Sequence, residues 1–369
     1  MTKKEQILRK ERMPAAVIAP EKEVHAELSK KDREIINILT MNSRTPLSQI
    51  AKYLKTSAEV INYHYNGLRK RNIITDAFTF IDPKVLGIQR YCVYLQFHAL
   101  SQERMKNIIE DFLSNKHVNW VIETGGKWEF ILMFETLNQN KYDEILDSIT
   151  SPIKDYLNDY SVVTVKSFIH KSQRYIKGLK SEEEYRNRIK FPYDKELKSK
   201  KAVPAEIDEK DIWLLKLIHE DSRLTLTDLG EKLNLSRHSV DYRIKKLIAA
   251  GIIKSFLIRL NYHLLDFQYT TIMIKFRSIS KNRMREFLNH IYADERFYAL
   301  MEQIGMWDLS LMMFFSNPKD LRNFLISLKE KFSDVIHSYE SVIHFDQHYY
   351  TQLCDGVIEE LIEKSKVKK

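Results

Sequence analysis

Two stretches of the chain carry the same alternation of apolar and polar positions. In the first, Ile35, Ile36, Ile38 and Leu39 share one side of a helix predicted over 30–41, and Ser29 stands where a cap is needed. Thr45-Pro46 opens a second helix, with Thr as cap and Pro in the first turn. A third runs from Ser57 to about Arg71, with Ile61, Tyr65 and Leu68 at i, i+4 and i+7 as its inward face. The second stretch repeats this face as Val240, Ile244 and Leu247. Asn72 and Gly251 follow the third helices, and both residue types tolerate the left-handed backbone that closes a helix. The pattern predicts three helices and a hairpin in each stretch, with short strands near 74–81 and 253–260 forming the wing.

Beyond each wing the period changes. Strands are predicted over 91–97, 118–124, 127–136 and 161–169, with helices over 102–115 and most of 138–157. The order is βαββαβ, the ferredoxin-like pattern. It recurs with strands near 269–277, 297–304, 306–315 and 340–348.

The recurrence is a duplication. Shifted by 179 residues, the chain aligns with itself: over 29–169 against 208–348, 28 of 141 positions are identical without a gap. Chance would give roughly 6%. Asp32 meets Asp211, Ser43-Arg44 meets Ser222-Arg223, and Glu123, Gly126 and Trp128 meet Glu302, Gly305 and Trp307. Residues 1–28, with Pro14 and Pro20, read as a flexible basic extension. Residues 171–207 read as a charged linker that includes Glu182-Glu183-Glu184 and Lys198-Ser199-Lys200-Lys201, with a solvated helix over 180–190. Residues 351–369 form a C-terminal tail with a short helix near 354–364.

Composition narrows the function. The 369 residues are 44% hydrophobic, enough for real cores, and the net charge is +9. The 9 Gly and the lack of GxGxxG or GxxxxGK[ST] argue against phosphate-cradling loops. Two cysteines, Cys92 and Cys354, make neither a disulfide framework nor a Cys-based zinc site, which fits a reducing, cytoplasmic compartment. The apolar run Ala15-Ala16-Val17-Ile18-Ala19 is too short for a signal or membrane segment. The charge is uneven. Residues 29–74 hold nine Lys/Arg against three Asp/Glu, whereas 82–169 hold nine against twelve. Arg237, Arg243, Lys245, Lys246 and Lys254 face only Asp241 within 236–254. Cations therefore gather on each third helix, where a helix-turn-helix meets phosphates.

Several of these residues resemble a known family. Asp211-x-x-Leu-Leu, Asp221-Ser222-Arg223 and the run Leu235-Ser236-Arg237-His238-Ser239-Val240-Asp241-Tyr242-Arg243-Ile244-Lys245-Lys246-Leu247 through Gly251-Ile252-Ile253 resemble the winged helix-turn-helix of the Lrp/AsnC (feast/famine) transcription regulators. Gly305-Met306-Trp307-Asp308 resembles the G-x-x-D motif of that family's ligand-sensing domain, and Gly126-Lys127-Trp128-Glu129 is a variant of it. Copy 1 departs from the family with Lys55-Thr56-Ser57 in the turn and with His64 where copy 2 has Arg243. The resemblance implies an α+β chain with winged helix-turn-helix units at 29–81 and 208–260 and ferredoxin-like sensor domains at 82–170 and 261–350. Family members carry one unit per chain and pair through their sensor sheets, so the resemblance implies a covalent pseudo-dimer that tethers two reading heads. It also implies double-stranded DNA as partner, an amino acid or other small effector, and further homo-oligomers through the sensor domains. No cofactor, metal, catalytic residue or membrane contact is expected.

Candidate DNA contacts in the first head are Ser57, Ala58, Asn62, Tyr63, His64, Arg69, Lys70 and Arg71, with Glu59 and Asn66 on the same outward face. In the second head they are Ser236, Arg237, His238, Asp241, Tyr242, Arg243, Lys245 and Lys246. Arg237 suits guanine and Asn62 suits adenine, and solvated surface residues are the alternative. Gly126, Trp128, Glu129, Gly305, Trp307 and Asp308 suit an effector site. The alternatives there are a sheet-packing Trp and carboxylates in structural hydrogen bonds. His344-x-x-x-His348 has ligand spacing for a helix but falls on predicted strand, so metal is not expected. His117 and His219 read as surface or packing residues. An architectural DNA-coating protein is a second reading. A third is an enzyme like the siroheme decarboxylases, which share the two-part architecture. That enzyme would need His and Arg clustered on the sensor strands, and the first strands offer only Arg90 and His98 in copy 1 and Arg277 in copy 2.

Overall fold

A computed structural model of the chain describes residues 16–19, 25–170, 182–199 and 205–367. Residues 1–15 and 20–24 of the predicted extension, with Pro14 and Pro20, lie outside the described residues. So do 171–181 and 200–204 of the linker, with Lys200 and Lys201, and the last two lysines.

The first three helices among the described residues are α1 (Lys30–Met41), α2 (Leu47–Tyr53) and α3 (Ala58–Lys70). Ser29 and Asp32 form a reciprocal capping box at the start of α1, and Ser57 accepts from the Val60 N–H at the start of α3. The predicted Thr45 cap is absent. Pro46 occupies the cap position of α2, and Thr45 Oγ1 donates to the Asn42 carbonyl at 2.7 Å. Ile61 and Leu68 are fully buried, while Tyr65 is half-buried. Asn72 and Gly251 both take positive φ, 56° and 73°.

The first strand, β1 (Ile74–Ile81), does not fold back as half of a hairpin. After it, Asp82 caps a single turn over Pro83–Leu86, which leads directly into the next strand, β2 (Gln89–Phe97). With no neighbour in its own copy, β1 pairs instead with its counterpart β6 (Ile253–Leu260), Phe78 opposite Leu257 and Thr79 opposite Phe256. The ribbon satisfies backbone groups that a lone strand would leave unpaired.

After β2, copy 1 continues as α4 (Gln102–Ser114), β3 (Val118–Gly125), β4 (Phe130–Thr136), α5 (Tyr142–Thr150) and β5 (Leu157–His170). The linker gives α6 (Glu182–Arg186) and α7 (Asp194–Lys198). The second unit starts with α8 (Glu209–Glu220), α9 (Leu226–Leu233) and α10 (Arg237–Ala249), followed by β6. Its sheet unit is β7 (Gln268–Phe276), α11 (Lys281–Ala293), β8 (Phe297–Ile304), β9 (Leu309–Phe315), α12 (Pro318–Phe332) and β10 (Ile336–Tyr350), and α13 (Asp355–Val367) closes the described chain.

The eight sheet strands form one closed barrel in the order β10-β3-β4-β2-β5-β8-β9-β7. Each copy supplies four antiparallel neighbours, and the sheets join twice by the same contact: β5 on β8, and β10 on β3. Closure removes the edges that two open sheets would expose. Alternate side chains then serve two cores. Val93, Leu95, Phe130, Leu132 and Phe134 meet Ile108, Phe112, Ile145 and Ile149 of the covering helices, whereas Cys92, Tyr94, Trp120, Ile122, Ile131 and Met133 fill the barrel. Both faces being buried, β4 and β9 are uninterrupted apolar or neutral runs apart from Glu135.

The heads cross over the ribbon. α8 packs on β1 and α1 on β6, with Ser222 N–H donating to the Ala77 carbonyl at 2.8 Å and Ser43 N–H to the Phe256 carbonyl at 3.0 Å. Over its described residues from 182 on, the linker is not the expected solvated helix: the helix ends at Arg186. Tyr185, Ile189 and Phe191 are buried on the first head, and the Tyr185 hydroxyl donates to Glu34 at 2.6 Å. Helix α13 is also packed: Val357, Ile358 and Leu361 join the core of the second head, and Lys216 pairs with Asp355 at 2.8 Å. Val17, within the predicted extension, is buried and exchanges both backbone hydrogen bonds with Gln347.

Candidate nucleic-acid interface

Helices α3 and α10 are capped alike by Ser57 and Ser236, each accepting a backbone N–H three residues on. Their inward stripes are consumed by the head cores, which leaves one outward face on each. Tyr63 and Tyr242, at matching positions, are 79% and 64% exposed. Ser57, Glu59, Asn62, Asn66, Lys70, Ser236, Arg237, His238 and Lys245 are exposed with them, and Ala58 is half-buried. Asn62 Nδ2 donates back to the Ala58 carbonyl at 2.9 Å.

Several predicted phosphate contacts are committed elsewhere. Arg243 donates to Asp208 at 2.9 Å and Asp211 at 2.6 Å, and Lys246 reaches Asp211 at 2.9 Å. Asp211 is fully buried, so these cations turn inward to the first helix of their head. In the first head, His64 bonds Asp32 at 2.9 Å and Arg71 Nη2 approaches it at 3.4 Å. Burial works to raise the Asp32 carboxyl, but its hydrogen bonds from His64 and Ser29 outweigh that and hold it below the usual range. Arg69 donates to the Ile74 and Thr75 carbonyls. Asp241 accepts from the Tyr193 hydroxyl at 2.9 Å and pairs with Lys245 at 2.7 Å. The matched Asp32 and Asp211 were visible as identities under the 179-residue shift, but their partners lie one helix away in space.

The heads hold each other through a reciprocal clasp. Ser43 Oγ and Ser222 Oγ are 2.5 Å apart. Arg44 donates to the Ser222 and Leu224 carbonyls, at 2.5 and 3.1 Å, and Arg223 donates to the carbonyls of Ser43 and Thr45. Each guanidinium also lies over an aromatic ring, Arg44 over Phe256 at 5.6 Å and Arg223 over Tyr65 at 5.0 Å. Burial, with the neighbouring Arg223 charge, lowers the Arg44 pKa. The repeated Ser-Arg pair was the sequence signal for this contact, and nothing in its spacing told that the two pairs meet.

The Gly-Trp turns lie where the two sheets join. Gly126 has φ 137°, and a Cβ there would sit 3.3 Å from the Ser341 carbonyl; Gly305 has φ 144°, and its Cβ would sit 2.9 Å from Val163 Cγ1. Trp128 is fully buried and donates through Nε1 to Glu340 at 3.1 Å. Trp307 is 5% exposed, and its Nε1 has no partner among the described residues. Ser161 stands at the position matching Glu340. Both carboxylates of the motif are in structural hydrogen bonds. Glu129 accepts from the Phe97 N–H at 2.6 Å, and Asp308 accepts from the Phe276 N–H at 2.8 Å and from Lys275 at 2.9 Å.

Most of the other polar residues singled out in the sequence have local partners, although His344 Nδ1 has none among the described residues. His344 bonds Thr271 at 2.7 Å and His348 lies 3.3 Å from Glu123. No group of three or more His, Cys, Asp or Glu that could hold a metal occurs among the described residues. His117 bonds the Glu135 carbonyl, and His219 bridges the Thr79 carbonyl and the Gln352 N–H. Arg90 is buried against Glu135 at 2.8 Å, while His98 and Arg277 are exposed. No helix among the described residues is long and apolar enough to cross a membrane.

Residues 207–254 match a family model described as winged helix-turn-helix DNA-binding. An uncharacterized HTH-type transcriptional regulator of Pyrococcus furiosus is 32% identical over 123 residues, which are 33% of this chain and 82% of the relative. Another, of Pyrococcus horikoshii, is 32% identical over 125 residues, 34% of this chain and 83% of the relative. One third of this chain thus accounts for most of such a relative. Among solved structures, the siroheme decarboxylase NirDL is similar over 92% of this chain and 100% of its own, with TM-score 0.59 and 8% identity. That likeness extends the shared fold to both copies. The helix-turn-helix geometry, the sequence relatives and the family model agree: the chain belongs to the Lrp/AsnC family of helix-turn-helix transcriptional regulators.

Proposed function

We propose that the chain is a site-specific DNA-binding regulator in which one polypeptide supplies both reading heads, residues 29–81 and 208–260, on paired sensor domains, residues 82–170 and 261–350. The observation that carries this is the pair of alike-capped helices α3 and α10, each with an exposed outward face, on heads joined through the Ser43–Ser222 clasp. Their outward residues enter successive major grooves roughly one helical turn apart. Asn62, Tyr63, Arg237, His238 and Tyr242 face bases, and Lys70, with Lys245 once it exchanges Asp241 for DNA, faces phosphates. His64, Arg71, Arg243 and Lys246 position the helices through Asp32 and Asp211. An electrophoretic shift series with rising salt tests the reading. Affinity should fall steeply with salt, because phosphate contacts release counterions, and equal affinity at low and high salt would overturn it.

An effector is read at the sheet-joining turns of Gly126 and Gly305, where the buried, unpartnered Trp307 Nε1 marks the second turn. Further pairing of chains is read through the outer sensor surfaces, and a cytoplasmic location fits a DNA partner. We read the chain as non-catalytic. Arg90 is neutralised by Glu135, and His98 and Arg277 are exposed, so the sensor strands gather no cluster of free His and Arg among these residues. A colourless protein that takes up no tetrapyrrole is the expected result.

A further inference from the structure

We infer that this chain recognises an asymmetric DNA element: two unlike half-sites held at the fixed spacing that a symmetric operator would have. The inference rests on the DNA-binding reading above and adds what the DNA must look like.

The scaffold is symmetric. The 179-residue shift maps each clasp contact onto the other: Ser43 onto Ser222, and the Arg44 bond to the Ser222 carbonyl onto the Arg223 bond to the Ser43 carbonyl. The barrel joins and the wing ribbon obey the same exchange. The two helices are therefore presented as a dimer would present them.

Their outward faces are not symmetric. The matching pairs are Ala58 with Arg237, Glu59 with His238, Asn62 with Asp241, Tyr63 with Tyr242, and Asn66 with Lys245. Tyrosine is the one identical pair among these five. Helix α3 offers a carboxylate and two amides along this face, and its His64 is held by Asp32. The Glu59 carboxyl, bonded by Ser57, is held below its ordinary range and so stays an acceptor. Helix α10 offers Arg237 and His238 in its first turn, while its Asp241 is occupied by Lys245 and Tyr193.

The cations are also distributed differently: α10 has Arg237 at its start and Lys245 and Lys246 short of its end, whereas the first turn of α3 has none. Arg69, Lys70 and Arg71 close α3, where the matching residues after Leu247 are Ile248, Ala249 and Ala250. The N-terminal residues of a recognition helix meet base edges, and its remaining contacts go to the backbone. The second head thus brings a guanine-reading arginine to the bases. The first brings acceptors and amides suited to cytosine and adenine, with Lys70 toward phosphate. A homodimer would present one face twice and select an inverted repeat. A duplicated chain has no such constraint, and these faces have separated in chemistry while the clasp keeps the geometry.

The test is in-vitro selection of double-stranded DNA from a random library with the full chain, repeated with Arg237→Ala and Asn62→Ala. Both substitutions are at exposed positions outside the cores. Expected is a motif of two unlike halves at constant spacing. Arg237→Ala should lose guanine preference in one half by roughly tenfold or more and leave the other half unchanged, and Asn62→Ala should alter only that other half. Enrichment of an inverted repeat, or Arg237→Ala changing both halves alike, overturns the inference and leaves the DNA-binding reading standing. Absence of any retained DNA at low salt overturns both.

Discussion

The buried carboxylate at the root of the second reading head sets up a sharp comparison. Asp211 is 0% exposed and is held by three donors: the Asp208 N–H at 3.1 Å, Arg243 at 2.6 Å and Lys246 at 2.9 Å. Asp211→Asn keeps the shape and one acceptor oxygen for the cap but removes the charge and turns an amide N–H2 toward a cation. Breaking a buried pair on one side costs about 3–5 kcal/mol. Asp208 also contacts Arg243 at 2.9 Å, which leaves that cation partly compensated, so about 3 kcal/mol is expected. The matching Asp32→Asn should cost less, about 1 kcal/mol. Its partners are more solvated: the His64 side chain is 22% exposed, and Arg71 is 45% exposed and 3.4 Å away. Hydrogen exchange followed at the amides of α8 and α10, and of α1 and α3, reads each head separately. About 3 kcal/mol corresponds to roughly hundredfold faster exchange in the second head, against several-fold in the first. If Asp32→Asn accelerates exchange as much as Asp211→Asn, the inward-turned cations are not what anchors α10.

Three further outcomes follow from the packing. His219 and His344 are buried, and burial lowers each from 6.5 to about 3. Both are neutral in either state above pH 6.5. Below it the unfolded chain takes up protons that the folded chain refuses until about pH 3, so stability should fall by about 1.4 kcal/mol per histidine per pH unit across that window. Thermal melting between pH 7 and 4 checks this, and the His219→Gln variant should show a shallower slope. Gly305→Ala forces both a positive φ and a 2.9 Å approach to Val163 Cγ1, so it should cost more than about 1 kcal/mol and more than Gly126→Ala, whose nearest contact is 3.3 Å. Melting temperatures of the two variants decide it. Arg44→Ala with Arg223→Ala should reduce the clasp to its Ser43–Ser222 bond, leaving the heads folded but tolerant of half-site spacings that the unaltered chain rejects in shift assays.

Much of the local structure was written in the chain. The capped, amphipathic runs at 30–41 and 58–70, and their images 179 residues on, fold as helices because cap, stripe and stop agree within a dozen residues. The βαββαβ order was legible for the same reason, and so were the left-handed stops at Asn72 and Gly251. What each element would touch was not. The expected wing hairpin became a ribbon between copies, since among the described residues β1 pairs with β6, 179 residues away. The expected solvated linker became a buried strap through Tyr185, Ile189 and Phe191. Four predicted DNA contacts, His64, Arg71, Arg243 and Lys246, pair with Asp32 and Asp211. A cation on a helix has a sequence-determined residue type and angular position, but whether it meets solvent or a carboxylate depends on the helix packed beside it. The sequence by itself therefore determined the repeat, the elements and the family. The tertiary structure decided which repeated residues meet across the molecule, because edge pairing, clasp and barrel closure are long-range contacts that no local pattern encodes.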